Sequence, residues 1–324
     1  MRLIITLKKR FMTLGALTGV GILLPLLLPN ELSSTTTMLY YLMLALSWNL
    51  IMGYTGIFSF GHMGFALVGG YSSALLVLKL NVSPFLGLVV GGIAAALVSL
   101  ILGAVTLRLR GFYLTLVTWA FAEILITVLT VEHEITGGTM GLSVRGFIKG
   151  GGMISNYYIG LVLCVLLGLF MIWIVHSRVG IYLKSIRDDE GVSEVLGVNT
   201  VFWKLFAFTA TGFWAGVAGA FYTHFFGVID PSAGSLTVLS MVFLMVIIGG
   251  IGTLIGPVIG TVFVMFLSEF LSGKLAEMSV LIFAALMIIT MIFFRDGMVG
   301  AFRAPLQKLF NSNRRNNLPG KAAS

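Results

Sequence analysis

Few side chains in this sequence are equipped for chemistry. Glu123 lies inside the apolar run Phe112–Val131, and Trp119 stands four residues earlier, on the same face of a helix. An ionisable group in such a run is costly and points to function, such as holding a pathway water or an ammonium group. The same carboxyl also suits an interhelical hydrogen bond that locks a fold, and the residue types leave both roles open. His62 sits in the glycine-broken segment Ser59-Phe60-Gly61-His62-Met63-Gly64, where it reads either as a gate or as a satisfied structural histidine. The four histidines, His62, His133, His176 and His224, are scattered and lack metal-ligand spacing. No lysine closes a GxxxxGK[ST] phosphate loop, since Gly180-Ile181-Tyr182-Leu183-Lys184-Ser185 lacks the glycine before the lysine. The single cysteine, Cys164, allows no intrachain disulfide and suits a small core position. The set contains no catalytic constellation and implies no metal or cofactor.

One further stretch has chemical character, the polar island from Val179 to Lys204. The spacing predicts a short helix over 188–196. Asp188, Asp189 and Glu190 occupy its first turn, where the helix dipole favours acids. Gly197 stands where a left-handed C-terminal cap wants glycine. Val192, Val195 and Leu196 fall at i, i+3, i+4 and form a small apolar face. Such an element is either an incidental helix in a solvated loop or a docking knob pressed into a partner's groove. In the docking reading Val192, Val195 and Leu196 are the buried anchors. Asp188, Asp189, Glu190 and Glu194 then orient the helix against basic groups, and Arg187 pairs with an acid on the partner.

These residues are carried by a chain that is 58% hydrophobic and 10% charged, with a mean hydropathy of +1.05. A soluble domain of this size needs far more charge on its surface. The apolar runs are continuous, not alternating, which favours membrane helices over a β-barrel. Ten runs stand out: Phe11–Leu28, Met38–Met52, Ile57–Leu78, Phe85–Leu107, Phe112–Val131, Tyr157–Val175, Leu205–Val228, Leu236–Ile248, Pro257–Phe270 and Met278–Phe294. The first resembles a signal peptide, but it is long for one and Pro29-Asn30-Glu31 is not a small-residue cleavage site, so it reads as a retained span. Ten spans with the N-terminus inside place sixteen of the 20 Lys and Arg on the cytoplasmic side, as the positive-inside rule requires. The net charge of +8 is therefore topology and attraction to anionic lipid, with no call for a nucleic acid. The chain divides into a basic segment and first span (1–30), a main body (31–294) with its cytoplasmic loop (177–204), and a basic cytoplasmic tail (295–324).

Glycine punctuates this pattern. Gly53, Gly56, Gly61 and Gly64 break up the second and third runs, and Gly249, Gly250 and Gly252 separate the eighth from the ninth. Both sets read as hinges, with irregular backbone of the kind tolerated in membranes only inside protein or along a wet cavity. Small residues recur every four positions at Gly87, Gly91, Ala95, Ser99 and Gly103, at Gly212, Gly216 and Ala220, and at Gly252, Gly256 and Gly260, which fits close helix packing.

Taken in order and spacing, several of these pieces resemble the permease subunits of ATP-driven branched-chain amino acid importers, of the LivM-like type. They are Gly53-Tyr54-Thr55-Gly56 with Ser59-Phe60-Gly61-His62; Leu107-Arg108-Leu109-Arg110-Gly111-Phe112-Tyr113-Leu114; Glu123; Thr136-Gly137-Gly138; Arg187-Asp188-Asp189-Glu190 with Leu196-Gly197-Val198-Asn199; Lys204 with Ala207-Phe208; Ala215-Gly216 with Ala218-Gly219; and Gly249-Gly250-Ile251-Gly252-Thr253. The resemblance runs from about Tyr40 to about Phe294. It implies an all-α polytopic membrane protein of the ABC importer permease type, with about ten transmembrane helices and broken or re-entrant segments. It implies that the 177–204 loop carries a coupling helix seated on an ATPase, so that Arg187, Asp188, Asp189, Glu190, Val192, Glu194, Val195 and Leu196 face that partner. It also implies a second, LivH-like permease subunit, two cytoplasmic ATPase subunits and an extracytoplasmic binding protein, in the bacterial cytoplasmic (inner) membrane with both termini inside. His62, Trp119 and Glu123 are then candidates for the translocation pathway. The chain departs from the family pattern at Thr139-Met140 and at Phe112, so the substrate stays open, because urea and short-chain amide importers use similar permeases. A reading of another class, an ion-coupled carrier or channel acting alone, also suits broken helices. The acid-led helix and the scarcity of mid-membrane charge weigh against it.

Overall fold

The computed structural model describes residues 2–293 apart from 28, 108, 110, 149, 151 and 275–278, together with 298. The 295–324 tail lies outside the described residues, apart from 298. Thirteen α-helices follow one another among the described residues: α1 (Arg2–Leu27), α2 (Leu32–Thr55), α3 (His62–Leu80), α4 (Pro84–Thr106), α5 (Phe112–Val131), α6 (His133–Thr136), α7 (Met153–His176), α8 (Arg178–Asp188), α9 (Glu190–Val195), α10 (Thr200–Phe226), α11 (Leu236–Gly249), α12 (Gly256–Lys274) and α13 (Ser279–Phe293). All ten apolar runs named above carry a helix.

Helix length and composition alone do not confirm the ten spans expected. Among the described residues, six segments are long and apolar enough to cross a membrane: α3, α4, α5, α7, α10 and Pro231–Gly249, which contains α11. The pair Met12–Leu27 and Pro29–Thr55, bent by 103°, brings the number to seven. Two physical causes account for the difference. Ser33, Ser34 and Thr35 to Thr37 dilute the apolar character of α2. The apolar segments Gly256–Leu271 of α12 and Leu281–Thr290 of α13 are shorter than the about 20 residues that a hydrocarbon core of about 30 Å needs.

Small residues decide how the spans pack. α10 lies between α3 and α4, and its stripe mates with theirs. A Cβ on Gly216 would strike Ala95, one on Gly212 would strike Ser99, and one on Gly219 would strike the Ala66 carbonyl. The two small-residue stripes of α4 and α10 are thus two halves of one close contact. α2 runs through the core, with Trp48, Leu50, Ile51 and Tyr54 buried. A two-residue antiparallel pairing of β1 (Leu142–Ser143) with β2 (Val228–Ile229) ties the α5–α7 connection to the end of α10. Beneath it His224 donates from Nδ1 to the Arg145 carbonyl (2.9 Å) and accepts at Nε2 from Ser73 Oγ (2.8 Å). Both histidine nitrogens are satisfied, and the residue is structural.

Candidate functional site

The α2–α3 connection is the first half of the site. Gly56 caps α2 in the left-handed region at φ +73°. The chain then runs without regular structure to Gly61, largely inside the protein. Its backbone is nevertheless paired: Ser59 O accepts from Trp48 Nε1 (3.0 Å), Phe58 O from Thr115 Oγ1 (2.9 Å), and Phe60 N donates to Thr118 Oγ1 (3.1 Å). This is irregular backbone satisfied by neighbouring helices, as a membrane interior demands. The glycines are not equivalent. Gly61 has φ −71°, and a Cβ there would sit 3.4 Å from the Thr118 carbonyl, an ordinary contact. Its backbone does not need glycine, contrary to the hinge expected at this position. Gly64 is tight against Phe121 of α5, and Gly53 is tight against Gly252.

The second half is the α11–α12 connection. Gly250 (φ +119°) and Gly252 (φ +74°) turn the chain, and Thr253 Oγ1 donates to Gly250 O (2.9 Å) while accepting from Gly256 N (3.0 Å). Asn49 of α2 holds this turn from both sides: Nδ2 donates to Thr253 O and Oδ1 accepts from Gly252 N, each at 2.8 Å. The two glycine joints, some 200 residues apart in sequence, therefore touch. Asn49 was missed in the sequence reading. Its signal was an amide inside the apolar run Met38–Met52, which must find partners when buried there.

The polar island lies against this junction, arranged differently from the expected single helix over 188–196. α8 ends at Asp188 and α9 begins at Glu190. Asp189, extended at φ −159°, is the N-cap, and its Oδ1 accepts from Val192 N at 3.0 Å. An extended residue cannot continue a helix, so Asp188 closes one helix and does not open the next. At the far end Gly197 (φ +85°) donates to Glu194 O and Val198 N donates to Ser193 O, the paired bonds of a Schellman cap.

The acids and Arg187 are also placed otherwise than expected. Glu190 pairs with Lys204 of α10 at 2.5 Å, and Glu194 Oε1 accepts from Thr200 Oγ1 at 2.7 Å. Arg187 turns inward, and Nη1 donates to Gly53 O at 2.5 Å. These groups are engaged within the chain. Lys184 of α8 also lies over the Tyr54 ring, 5.7 Å from its centroid. The apolar face of α9 points away from the protein: Val192 is 55%, Val195 88% and Leu196 76% exposed. A cavity of about 400 Å³ opens beside the junction, lined among others by Gly56, Phe58, Phe112, Arg187, Glu190 and Lys204.

The remaining candidates lie elsewhere. Trp119 Nε1 donates to Glu123 Oε1 at 3.1 Å, within α5, and both side chains face outward. Among the described residues Glu123 makes no interhelical bond. His62 is buried at the start of α3. Its Nε2 sits 3.2 Å from Leu44 O and 3.1 Å from Ser47 Oγ, so Nε2 carries the proton. Nδ1 has no partner among the described residues. His62 is thus apart from Glu123 and Trp119, and the three do not form one cluster of contacts.

A model of the family described as "Branched-chain amino acid transport system / permease component" matches residues 31–291. The chain belongs to this family. Among its relatives is the LivM permease protein of the high-affinity branched-chain amino acid transport system of Escherichia coli (strain K12), 30% identical over 85% of this chain and 71% of the relative. The Salmonella typhimurium LivM protein is 28% identical over 92% of this chain and 77% of its own length. The LivH permease protein of the same Salmonella strain is 23% identical over 80% of this chain and 91% of its own length. No solved structure matches the chain. The matched residues span both glycine joints, α8, α9 and Glu123, so the whole site belongs to the shared permease body.

Proposed function

We propose that this permease moves branched-chain or other hydrophobic amino acids inward across the bacterial cytoplasmic membrane by alternating access, driven by ATPase subunits that dock on α9. The exposed face of α9 carries the reading. Asp189 and Gly197 cap the helix and Glu190 and Glu194 anchor it, so its polar groups are satisfied internally while Val192, Val195 and Leu196 stand free. A rigid, apolar, unpartnered knob suits a socket on a soluble partner. The distribution of Lys and Arg, sixteen of the 20 on one side of a ten-span arrangement, supports a cytoplasmic α9 and cytoplasmic termini.

The outward face of α5 supports a second permease subunit, LivH-like. A carboxylate exposed to lipid at mid-span costs about 2.5–3.5 kcal/mol, so Glu123 belongs against protein or a wet path. With Trp119 it would mark the edge of the translocation pathway between the two subunits, where a carboxylate can meet the ammonium of a passing amino acid. An extracytoplasmic binding protein completes the system and supplies much of the selectivity. Similarity to both LivM and LivH proteins fits a pair of related permeases.

The test uses the reconstituted transporter with a Val192→Asp, Leu196→Asp double variant. The expected result is a variant that inserts normally and no longer copurifies with the ATPase. Full ATPase binding and full substrate-stimulated hydrolysis by that variant would refute the docking assignment. Uptake of labelled leucine, urea and acetamide by the unaltered complex decides the substrate class. Uptake without any ATPase subunit would point to an ion-coupled carrier instead.

A further inference from the structure

We propose that Arg187 is the positioning residue that passes a movement of α8 and α9 to both glycine joints at once. This rests on the docking role of α9 and adds the route by which a displacement there reaches the membrane helices.

Arg187 stands two residues before Asp189, where the chain bends from α8 into α9. α2 ends at Thr55, so the carbonyl of Gly53 is among the last of that helix and has no intrahelical N–H to accept. Arg187 Nη1 fills that need at 2.5 Å, a cation at the negative end of the helix dipole. The same nitrogen lies in a gap left by Gly252: a Cβ built there would fall 2.6 Å from Nη1 and 2.8 Å from Gly53 O. A Cβ on Gly53 would in turn fall 2.6 Å from Gly252 N. One guanidinium thus sits where the backbones of two joints meet, and Asn49 bonds the far side of the same turn. Two further contacts keep α8 moving with the end of α2: Lys184 over the Tyr54 ring, and the Arg187 stem against Gly56, whose Cβ would lie 3.3 Å from Cγ. The glycines allow the approach, and the arginine links the two joints to α8. A tilt of α9 in a partner's socket therefore pulls on the α2–α3 and α11–α12 connections together.

The experiment compares Arg187→Ala and Arg187→Lys with the unaltered protein in the full reconstituted transporter, reading ATPase copurification and substrate molecules taken up per ATP hydrolysed. Arg187→Ala is expected to keep the ATPase and to lower uptake per ATP roughly tenfold, on the scale of one lost hydrogen bond to a charged group. Arg187→Lys, which keeps the cation, is expected to recover part of that loss. Unchanged uptake per ATP in Arg187→Ala overturns the proposal. If that variant does not accumulate, hydrogen exchange on the unaltered complex decides. Protection of the 250–253 amides must change between ATP-bound and nucleotide-free states along with 189–197, and a change at 189–197 alone overturns the proposal. The two ideas fail separately. If the Val192→Asp, Leu196→Asp variant keeps the ATPase, the docking assignment fails; if it loses the ATPase while Arg187→Ala stays fully coupled, only the link through Arg187 fails.

Discussion

α10 and α5 are both apolar spans, yet the protein treats them in opposite ways. The most apolar stretch of α10 is 61% buried and that of α5 only 22%. Hydropathy does not explain this, because α5 is the more apolar of the two, at 2.0 against 1.3. Close contacts at glycine accompany the difference. α10 carries Gly212, Gly216 and Gly219 on the faces that meet α3 and α4, and α5 has no glycine between Phe112 and Val131. Where lipid and protein are equally apolar, close backbone approach decides which helix goes inside. α5 keeps bulky side chains outward, with one carboxylate among them, which suits the second subunit proposed above.

The strongest challenge to this contrast is Gly219→Val. Its Cβ would overlap the Ala66 backbone, which cannot retreat, so a loss of more than about 3 kcal/mol is expected, read as failure to accumulate or as a collapsed melting transition. Normal accumulation would show that the α3–α10 contact is looser than described. Next comes Glu123→Leu, on the exposed side of the comparison. The fold should survive, since the Glu123 carboxylate bonds only Trp119 among the described residues, while pairing with the second permease or uptake falls roughly tenfold. Glu123→Gln, which keeps a hydrogen-bonding tip, separates the two roles: uptake retained means shape, uptake lost with pairing intact means charge in the pathway. A smaller effect is expected of Gly111→Ala at the start of α5. Gly111 has φ +57° with open space around its Cβ position, so only backbone strain of about 1–3 kcal/mol is at stake, measurable as a drop in thermal stability. The smallest belongs to Gly61→Ala, expected within about 0.5 kcal/mol of the unaltered protein, because its φ is ordinary and its Cβ has room. A large loss there would restore Gly61 as a hinge.

Much of the architecture was legible before any coordinates. The apolar runs located the helices, and Phe112–Val131 coincides with α5, although α1 begins at Arg2 and not Phe11, and α2 at Leu32 and not Met38. Gly197 announced its cap, which the positive φ and paired bonds bear out. Misreadings arose where a local pattern had two outcomes of similar cost. Asp188, Asp189 and Glu190 all suit a first turn, and spacing alone does not say which one caps it; the extended backbone at Asp189 does. The charges of the island were assigned to a partner because Lys204, Thr200 and Gly53 lie too far along the chain for any short-range rule to pair them with Glu190, Glu194 and Arg187.

By itself, then, the sequence determined the class, the helices, the Gly197 cap and the family. Each depends on residue type within a few positions: apolar length, dipole and cap chemistry, and the order of short motifs. The meeting of Gly53 with Gly252, the reach of Arg187 between them and the outward turn of Glu123 were decided only by tertiary structure. Glycine and serine say that a close approach is possible, not which helix will make it. The partner is chosen by matching small-residue stripes, and by the need of each buried carbonyl and amide for a bond that only another part of the chain can supply.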